Sequence, residues 1–283
     1  MSSINKIAVI GAGTMGSGIA HVFSQYGFSV ILVDSEQVFV ERGMISINNN
    51  MDRQIKKGLI TQEQKNNFLK NIIPVIGHQN IDKNVDLIIE AISENKIAKL
   101  HLLKDLHNLS NTNCIIASNT SSISITELGK NIRCDKFIGM HFMNPVPIMQ
   151  LVELIRGYST SDETFNTIYE LSLKIGKQPV EVYDYPGFIS NRILMPMINE
   201  AIFALYEGVA KAEDIDTVMK LGMSHPMGPL TLADFIGLDV CLAIMEVLYE
   251  GFNDSKYRPC PLLKKMVNAG KLGRKSKAGF FDY

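Results

Sequence analysis

Apolar residues follow two different periods along the first two thirds of the chain. Residues 7–10 form a short, continuously apolar run that ends at a glycine, which is typical of a strand buried on both faces of a parallel sheet. Residues 14–26 instead place apolar side chains three and four positions apart, as an amphipathic helix does. Strands that alternate with helices favour βαβ units and a mostly parallel sheet. The same two patterns predict further strands at 28–33, 85–91, 114–118, 136–140 and 149–155. They predict further helices at 36–57 and 96–109, and a capping box formed by Thr61 and Gln64 predicts the start of another helix between them.

The strand pattern ends near residue 185, where Tyr185-Pro186-Gly187 interrupts the chain. We therefore predict a Rossmann-like, doubly wound α/β domain with a mostly parallel sheet over residues 1–184 and an all-helical domain over residues 185–283. The helices predicted for the second domain are 188–208, 213–221, 230–249 and 261–269, separated by glycine and proline.

Composition narrows the function mainly by exclusion. The chain has 283 residues, of which 46% are hydrophobic, enough for the cores of one or two domains. Its 28 Lys and Arg balance 29 Asp and Glu, so the chain as a whole does not attract nucleic acid or an anionic membrane. Its four cysteines lie far apart, which favours free thiols and no metal site. No apolar run approaches the roughly 18 residues of a membrane span, no signal peptide is evident, and we expect a cytoplasmic protein.

A glycine-rich turn joins the first predicted strand to the first predicted helix. Gly11, Gly13 and Gly16 have the GxGxxG spacing of a dinucleotide-binding turn, and Asp34 follows at the end of the next strand. The N-terminus of the helix that follows attracts the phosphate groups of a dinucleotide. The carboxylate of Asp34 accepts hydrogen bonds from the ribose hydroxyls and repels a 2′-phosphate. We therefore predict NAD as the cofactor rather than NADP. The alternative is an ordinary glycine turn beside a solvated aspartate, which the full context disfavours. The residues assigned to the phosphate-binding turn are Gly11, Gly13, Thr14, Met15 and Gly16.

A nicotinamide cofactor implies hydride transfer, and oxidation of an alcohol also needs a base. His141 is the candidate, because it directly follows the predicted strand 136–140, and ligands of doubly wound sheets bind beyond the carboxyl ends of strands. Glu153 lies in an otherwise apolar strand and needs a partner if buried, so we expect it to orient His141. The alternatives are a structural histidine and an outward-facing glutamate on an edge strand.

Small polar residues occupy 118–122, again at the carboxyl end of a predicted strand. Their hydroxyl and amide groups suit either a nicotinamide amide or a substrate carbonyl. Ordinary turn chemistry explains the same residues equally well, and the pattern alone does not separate the two.

Together with three further segments, these residues resemble the short-chain-length branch of the (3S)-3-hydroxyacyl-CoA dehydrogenases along nearly the whole chain. The resemblance implies NAD(H)-dependent interconversion of (3S)-3-hydroxybutyryl-CoA and acetoacetyl-CoA, as used in fatty acid and butyrate metabolism. The segments that carry it are GAGTMGSG at 11–18, SNTSS at 118–122, GMHFMNPVPIMQLVE at 139–153, PGFISNR at 186–192, HPMGP at 225–229 and LGRKSKAGFFDY at 272–283.

The resemblance also implies a role for individual residues. His141 is the general base in oxidation and the acid in reduction, and Glu153 is its partner. Ser121 and Asn191 match residues that hydrogen-bond the 3-oxygen and the thioester region of the substrate, so that the active site lies between the domains. The helical domain is implied to form a homodimer, or the interface of a higher homo-oligomer. The residues that match positions near the nicotinamide are Glu94, Lys99, Asn119 and Asn144.

An acyl-CoA substrate carries several phosphate charges, which a nearly neutral chain has to bind with a local basic cluster. Arg53, Lys56 and Lys57 lie three and four positions apart on the predicted helix 36–57, and family members have lysines at the positions of Arg53 and Lys57. The alternative is a solvated helix face. Two competing functions remain at this point: a dehydrogenase for a hydroxy acid without CoA, and a non-catalytic NAD(H)-binding protein.

Overall fold

The computed structural model describes residues 4–283, and the chain forms two compact units. The first unit ends at Asp184, and the second comprises Tyr185–Tyr283. The first is built on an eight-stranded sheet with the spatial order β3-β2-β1-β4-β5-β6-β7-β8. Its strands are β1 (Lys6–Ile10), β2 (Ser29–Asp34), β3 (Ile72–Ile76), β4 (Leu87–Glu90), β5 (Ile115–Ser118), β6 (Phe137–Phe142), β7 (Leu151–Arg156) and β8 (Gln178–Tyr183).

Six strands of this sheet, β1 to β6, run parallel, and their chain order reverses between β1 and β4, as in a doubly wound fold. β7 then pairs antiparallel with β6, and β8 pairs parallel with β7. The mostly parallel Rossmann-like sheet predicted from the sequence is confirmed. The helices between the strands are α1 (Thr14–Gln25), α2 (Gln37–Lys56), α3 (Gln62–Lys70), α4 (Lys96–Leu109), α5 (Ile125–Gly129) and α6 (Asp162–Lys174).

The central strands are buried on both faces, which explains their continuous apolar runs. Ile7, Ala8 and Val9 of β1 are fully buried, and so are Leu87 and Ile89 of β4. Polar side chains therefore collect where these strands end and the backbone leaves the core.

The second unit is helical, as predicted, and has an apolar core of its own. One expected helix is wrong: the stretch 230–249 is divided at Gly237, whose φ of +106° a residue with a Cβ rarely adopts. Among residues 4–283, no helix is long and apolar enough to cross a membrane. The helices of this unit are α7 (Ser190–Tyr206), α8 (Ala212–Gly222), α9 (Pro229–Ile236), α10 (Leu238–Phe252) and α11 (Pro261–Asn268).

Two further differences from the sequence prediction bear on the site. β6 continues through Phe142, so His141 lies inside a strand and not directly after it, because pairing with β7 extends the ladder. α2 ends at Lys56, so Lys57 is the C-cap residue of the helix and not part of its last turn.

Candidate active site

The glycine turn between β1 and α1 brings three backbone segments into close contact. Gly11 has a φ of +103°, and a Cβ on it would lie 2.5 Å from the carbonyl oxygen of Ala91. A Cβ on Gly16 would overlap the carbonyl oxygen of Gly11. A Cβ on Gly13, the N-cap of α1, would meet no described protein atom within 4 Å. The turn therefore leaves room at the N-terminus of α1, where Thr14 is exposed and Met15 half-buried, for an anionic group.

A cavity of about 720 Å³ opens beside this turn and extends to the end of β2. Asp34 lines it, with Oδ2 accepting the Ala12 N–H at 2.7 Å and Oδ1 accepting the Ser35 N–H at 2.7 Å. Phe39, Arg42 and His78 also line the cavity. We did not predict them from the sequence, because no motif marks these positions. The turn, the helix N-terminus and the carboxylate together fit a dinucleotide.

His141 and Glu153 face each other across the β6–β7 pair. The two residues are directly opposed in the antiparallel register, so their side chains project from the same face of the sheet. His141 Nδ1 lies 2.7 Å from Glu153 Oε2, and the residues are 8% and 2% exposed. An ionised carboxylate only accepts hydrogen bonds, so it fixes the tautomer in which Nδ1 carries the proton.

The segment between β6 and β7 is held from outside the hairpin. Lys177, which is buried, donates to the carbonyl oxygens of Val146 at 2.5 Å and Met149 at 2.7 Å. Burial lowers the pKa of this lysine below its usual range. Asn144 lies in the same segment, and its side chain is exposed. Asn119, which directly follows β5, accepts the Phe142 N–H with its Oδ1 at 2.9 Å and so contacts the strand one residue from His141.

Residues 119–124, which we call the serine loop, are bound to the Glu94 carboxylate at Thr120, Ser121 and Ser122. Glu94 Oε1 lies 2.6 Å from Thr120 Oγ1, 2.8 Å from the backbone nitrogen of Ser121 and 3.1 Å from that of Ser122. Burial by itself raises the pKa of Glu94, but the Lys99 ammonium and the hydrogen bonds from the loop outweigh it, so the pKa lies below its ordinary value. Glu94 is therefore an anion that orders the loop carrying Ser121.

Lys99 connects this loop to the core of the sheet. It is 1% exposed, and its Nζ lies 2.6 Å from Glu90 Oε1 and 3.3 Å from Glu94 Oε2. We did not predict Glu90 from the sequence. The sequence contains a signal for it, however, because Glu90 is an acidic residue at the end of an apolar strand. An acidic residue in an apolar strand is also what selected Glu153 as a candidate.

The residues predicted to bind the substrate, other than Ser121, lie on α7 and at the end of α2. Asn191 is the second residue of α7 in the second unit and is 8% exposed. Arg53, Lys56 and Lys57 are exposed at the C-terminal end of α2. Among the described residues, no group of three His, Cys, Asp or Glu side chains is placed to hold a metal ion.

The chain is similar to known proteins along almost its whole length. Residues 6–185 match the model of the 3-hydroxyacyl-CoA dehydrogenase NAD binding domain, and residues 187–283 match that of the 3-hydroxyacyl-CoA dehydrogenase C-terminal domain. A probable 3-hydroxybutyryl-CoA dehydrogenase of Deinococcus radiodurans is 55% identical, over 98% of this chain and 100% of that protein. A 3-hydroxybutyryl-CoA dehydrogenase of Bradyrhizobium diazoefficiens is 53% identical, over 99% and 96%. The crystal structure of (S)-3-hydroxybutyryl-CoA dehydrogenase from Ralstonia eutropha has a TM-score of 0.97 at 49% identity and covers 99% of each chain.

Proposed function

The chain belongs to the 3-hydroxyacyl-CoA dehydrogenase family, and we propose that it interconverts (3S)-3-hydroxybutyryl-CoA and acetoacetyl-CoA with NAD(H). It is an NAD-dependent oxidoreductase, as its relatives of 50–55% identity are. The name of those relatives supports the four-carbon acyl group. The observation that carries the chemistry is the His141–Glu153 pair at the carboxyl edge of the sheet.

In this proposal His141 moves the proton of the substrate hydroxyl. Because Nδ1 bonds to Glu153, we assign the proton exchange with the 3-oxygen to Nε2. In oxidation Nε2 takes the hydroxyl proton, and in reduction it returns a proton to the 3-oxo group. Glu153 keeps the ring in one orientation and stabilises the imidazolium that forms, since the buried carboxylate is 2.7 Å away.

The cofactor residues follow from the cavity beside the glycine turn. We propose that the N-terminus of α1, from Gly13 to Gly16, binds the pyrophosphate, and that Asp34 binds the adenosine ribose. When bound, NAD(H) supplies or accepts the hydride at the 3-carbon of the substrate. Glu94, Lys99, Asn119 and Asn144 are the residues we propose to surround the nicotinamide.

The substrate residues rest on local chemistry and on the match to the family. We propose that Ser121, on the ordered serine loop, and Asn191 hydrogen-bond the 3-oxygen and the thioester region. Arg53 and Lys57 are exposed cations on one end of α2, which supports a CoA phosphate as their ligand and argues against a hydroxy acid without CoA.

A homodimer formed by the second unit is part of the proposal. Large apolar side chains are exposed on this unit, including Ile193, Leu221 and Met223, and exposed apolar surface of this kind supports a protein interface. Sedimentation of the purified protein tests this assignment, and a monomer at micromolar concentration contradicts it.

One substrate comparison tests the proposed reaction. NADH oxidation is measured with acetoacetyl-CoA, with longer 3-oxoacyl-CoAs and with free acetoacetate under identical conditions. We expect acetoacetyl-CoA to have the highest kcat/KM and free acetoacetate to be at least about a hundredfold poorer, because binding energy from the remote CoA group is lost. Equal rates with free acetoacetate would refute a CoA-dependent enzyme, and no oxidation with any of these would refute the proposed function.

A further inference from the structure

Glu90 is a fully buried carboxylate that uses both oxygens at the end of β4. Its Oε1 accepts Lys99 Nζ at 2.6 Å and the Ile92 N–H at 2.8 Å, and its Oε2 accepts the Ser118 hydroxyl at 2.5 Å. A buried carboxylate without partners costs several kcal/mol, so its presence here requires this complete set of donors.

The partners of Glu90 belong to two different loops. Ile92 lies in the segment that leads from β4 to Glu94, and it lines the cavity beside the glycine turn. Ser118 Oγ in turn accepts the backbone N–H of Thr120 at 3.2 Å, and the carbonyl oxygen of Glu90 accepts the Asn119 N–H at 2.8 Å. One residue therefore fixes both the loop that carries Glu94 and the start of the serine loop.

The charges form a row of alternating sign. Lys99 Nζ is closer to Glu90, at 2.6 Å, than to Glu94, at 3.3 Å. With Lys99 held by Glu90, the Glu94 Oε1 stays with the hydroxyls and N–H groups of the serine loop. If Glu90 lost its charge, the nearest carboxylate left for Lys99 would be Glu94, and the ammonium would compete with the serine loop for it.

We infer that Glu90 is a positioning residue, which keeps Lys99 off the serine-loop side of Glu94 and thereby places Ser121. This inference rests on the proposed function, since Ser121 matters only if it binds substrate. Glu90 itself touches neither substrate nor cofactor in this assignment and acts through its neighbours.

The test is Glu90→Gln, which keeps the shape and removes the charge. Asp86→Asn is the matched control, because Asp86 precedes the same strand at its other end and accepts the N–H groups of Asn5 and Lys6 at 2.9 Å. We expect Glu90→Gln to lower kcat/KM for acetoacetyl-CoA by about tenfold or more, the size of a coupling of one to two kcal/mol between neighbouring groups. The control should stay within about twofold. Equal effects of the two substitutions on a folded enzyme would overturn the inference.

A purely structural role is separated by a double-variant cycle with Ser121→Ala. If Glu90 acts by placing Ser121, its substitution costs much less in the Ser121→Ala background, and the combined loss is smaller than the product of the two single losses. Independent, multiplicative losses would refute the placement of Ser121. Ser118→Ala removes the bond to Glu90 Oε2 and the bond from the Thr120 N–H but leaves the Glu90–Lys99 ion pair. It gives a milder version of the same loss if Glu90→Gln does not fold.

A second measurement separates this inference from the proposed function. NADH binding is followed by the fluorescence of the nucleotide, which needs no substrate. Because Ile92 lines the cavity, we expect Glu90→Gln to weaken NADH by about fivefold or more, and Asp86→Asn to leave it unchanged. If the unsubstituted enzyme binds NADH but reduces no 3-oxoacyl-CoA, the proposed function fails, and this titration still shows whether Glu90 orders the segment after β4 that carries Ile92. Unchanged NADH affinity together with unchanged kcat/KM overturns the inference.

Discussion

His141 and Glu153 stand directly opposite each other on antiparallel strands, with His141 Nδ1 2.7 Å from Glu153 Oε2. The reversal of direction between β6 and β7 produces this relationship, because β7 begins at the carboxyl edge of the parallel strands, where β6 ends. A parallel β7 would have placed its own beginning at the opposite edge. The pair is thus made by one hairpin of the chain and needs no residue from another layer.

Replacing His141 by alanine removes the only proton carrier in the proposed reaction. We expect turnover with acetoacetyl-CoA and NADH to fall by at least about a hundredfold, since positioned acid–base groups contribute 10²–10⁴. NADH affinity should stay within about threefold. His101→Ala, on the exposed face of α4, is the matched control and should keep full activity. Turnover that survives in His141→Ala would exclude this histidine from the mechanism.

Replacing Glu153 by glutamine keeps the size of the side chain but removes the charge that faces the ring. We expect kcat to fall by about tenfold or more with a small change in KM, because the imidazolium that forms during oxidation loses its counter-ion. Glu181→Gln on the neighbouring β8 is the control, as this carboxylate is exposed and pairs with Arg156. A rise in KM without a loss of kcat would make Glu153 a binding residue.

Replacing Asp34 by alanine should weaken NADH and reduce the preference for NADH over NADPH. The carboxylate repels a 2′-phosphate, and once it is removed the Arg42 guanidinium remains as a positive charge on the wall of the same cavity. The measurement is kcat/KM for both cofactors at fixed acetoacetyl-CoA. An unchanged cofactor ratio would contradict the ribose contact assigned to Asp34.

Reversing two charges on α2, in Arg53→Glu/Lys57→Glu, should raise KM for acetoacetyl-CoA by about tenfold and remove its dependence on salt. Attraction between exposed charges is screened beyond about 10 Å at 0.1 M ionic strength, so the enzyme without substitutions should lose affinity as salt increases. Lys83→Glu/Lys104→Glu changes the net charge equally on other exposed positions. A KM that rises as much in this control would assign the effect to net charge and not to a CoA site.

His21 predicts how stability depends on pH. Burial lowers the pKa of His21 from 6.5 to about 4, and the hydrogen bond with Gln54, which raises the pKa, offsets this shift only in part. Between these values the unfolded chain binds more protons than the folded one, so the free energy of unfolding is highest above pH 6.5 and falls as the pH drops towards 4. The loss amounts to roughly 3 kcal/mol over that window. In urea unfolding, His21→Gln should flatten the decline between pH 6.5 and 4, and an unchanged slope would refute the assignment.

Much of the fold could be predicted because local rules and burial agree. α4 has the predicted bounds, and Thr61 and Gln64 form the capping box that opens α3. β3 was not predicted, because Pro74 interrupts its short apolar run and a proline argues against a strand. The division of 230–249 at Gly237 was missed because a glycine inside an apolar helix pattern does not reveal its φ.

The candidate site likewise contains residues that could be predicted from the sequence and residues that could not. The opposition of His141 and Glu153 could be anticipated, since both signals lie within one hairpin. The roles of Glu90 and Lys177 could not, because each depends on partners that the sheet brings together over long distances in sequence. Arg42 and His78 likewise join one cavity only once α2 and the segment after β3 are in place.

Lys177 has a consequence for the order in which activity arises. The Val146 carbonyl that it binds lies 31 positions earlier in the chain. A nascent or truncated polypeptide that stops short of this lysine already contains every member of the hairpin, yet its connecting segment lacks the two hydrogen bonds from Lys177. We therefore expect the His141–Glu153 pair to become competent for proton transfer only after the ribosome has synthesised the chain through Lys177, well after it has synthesised His141.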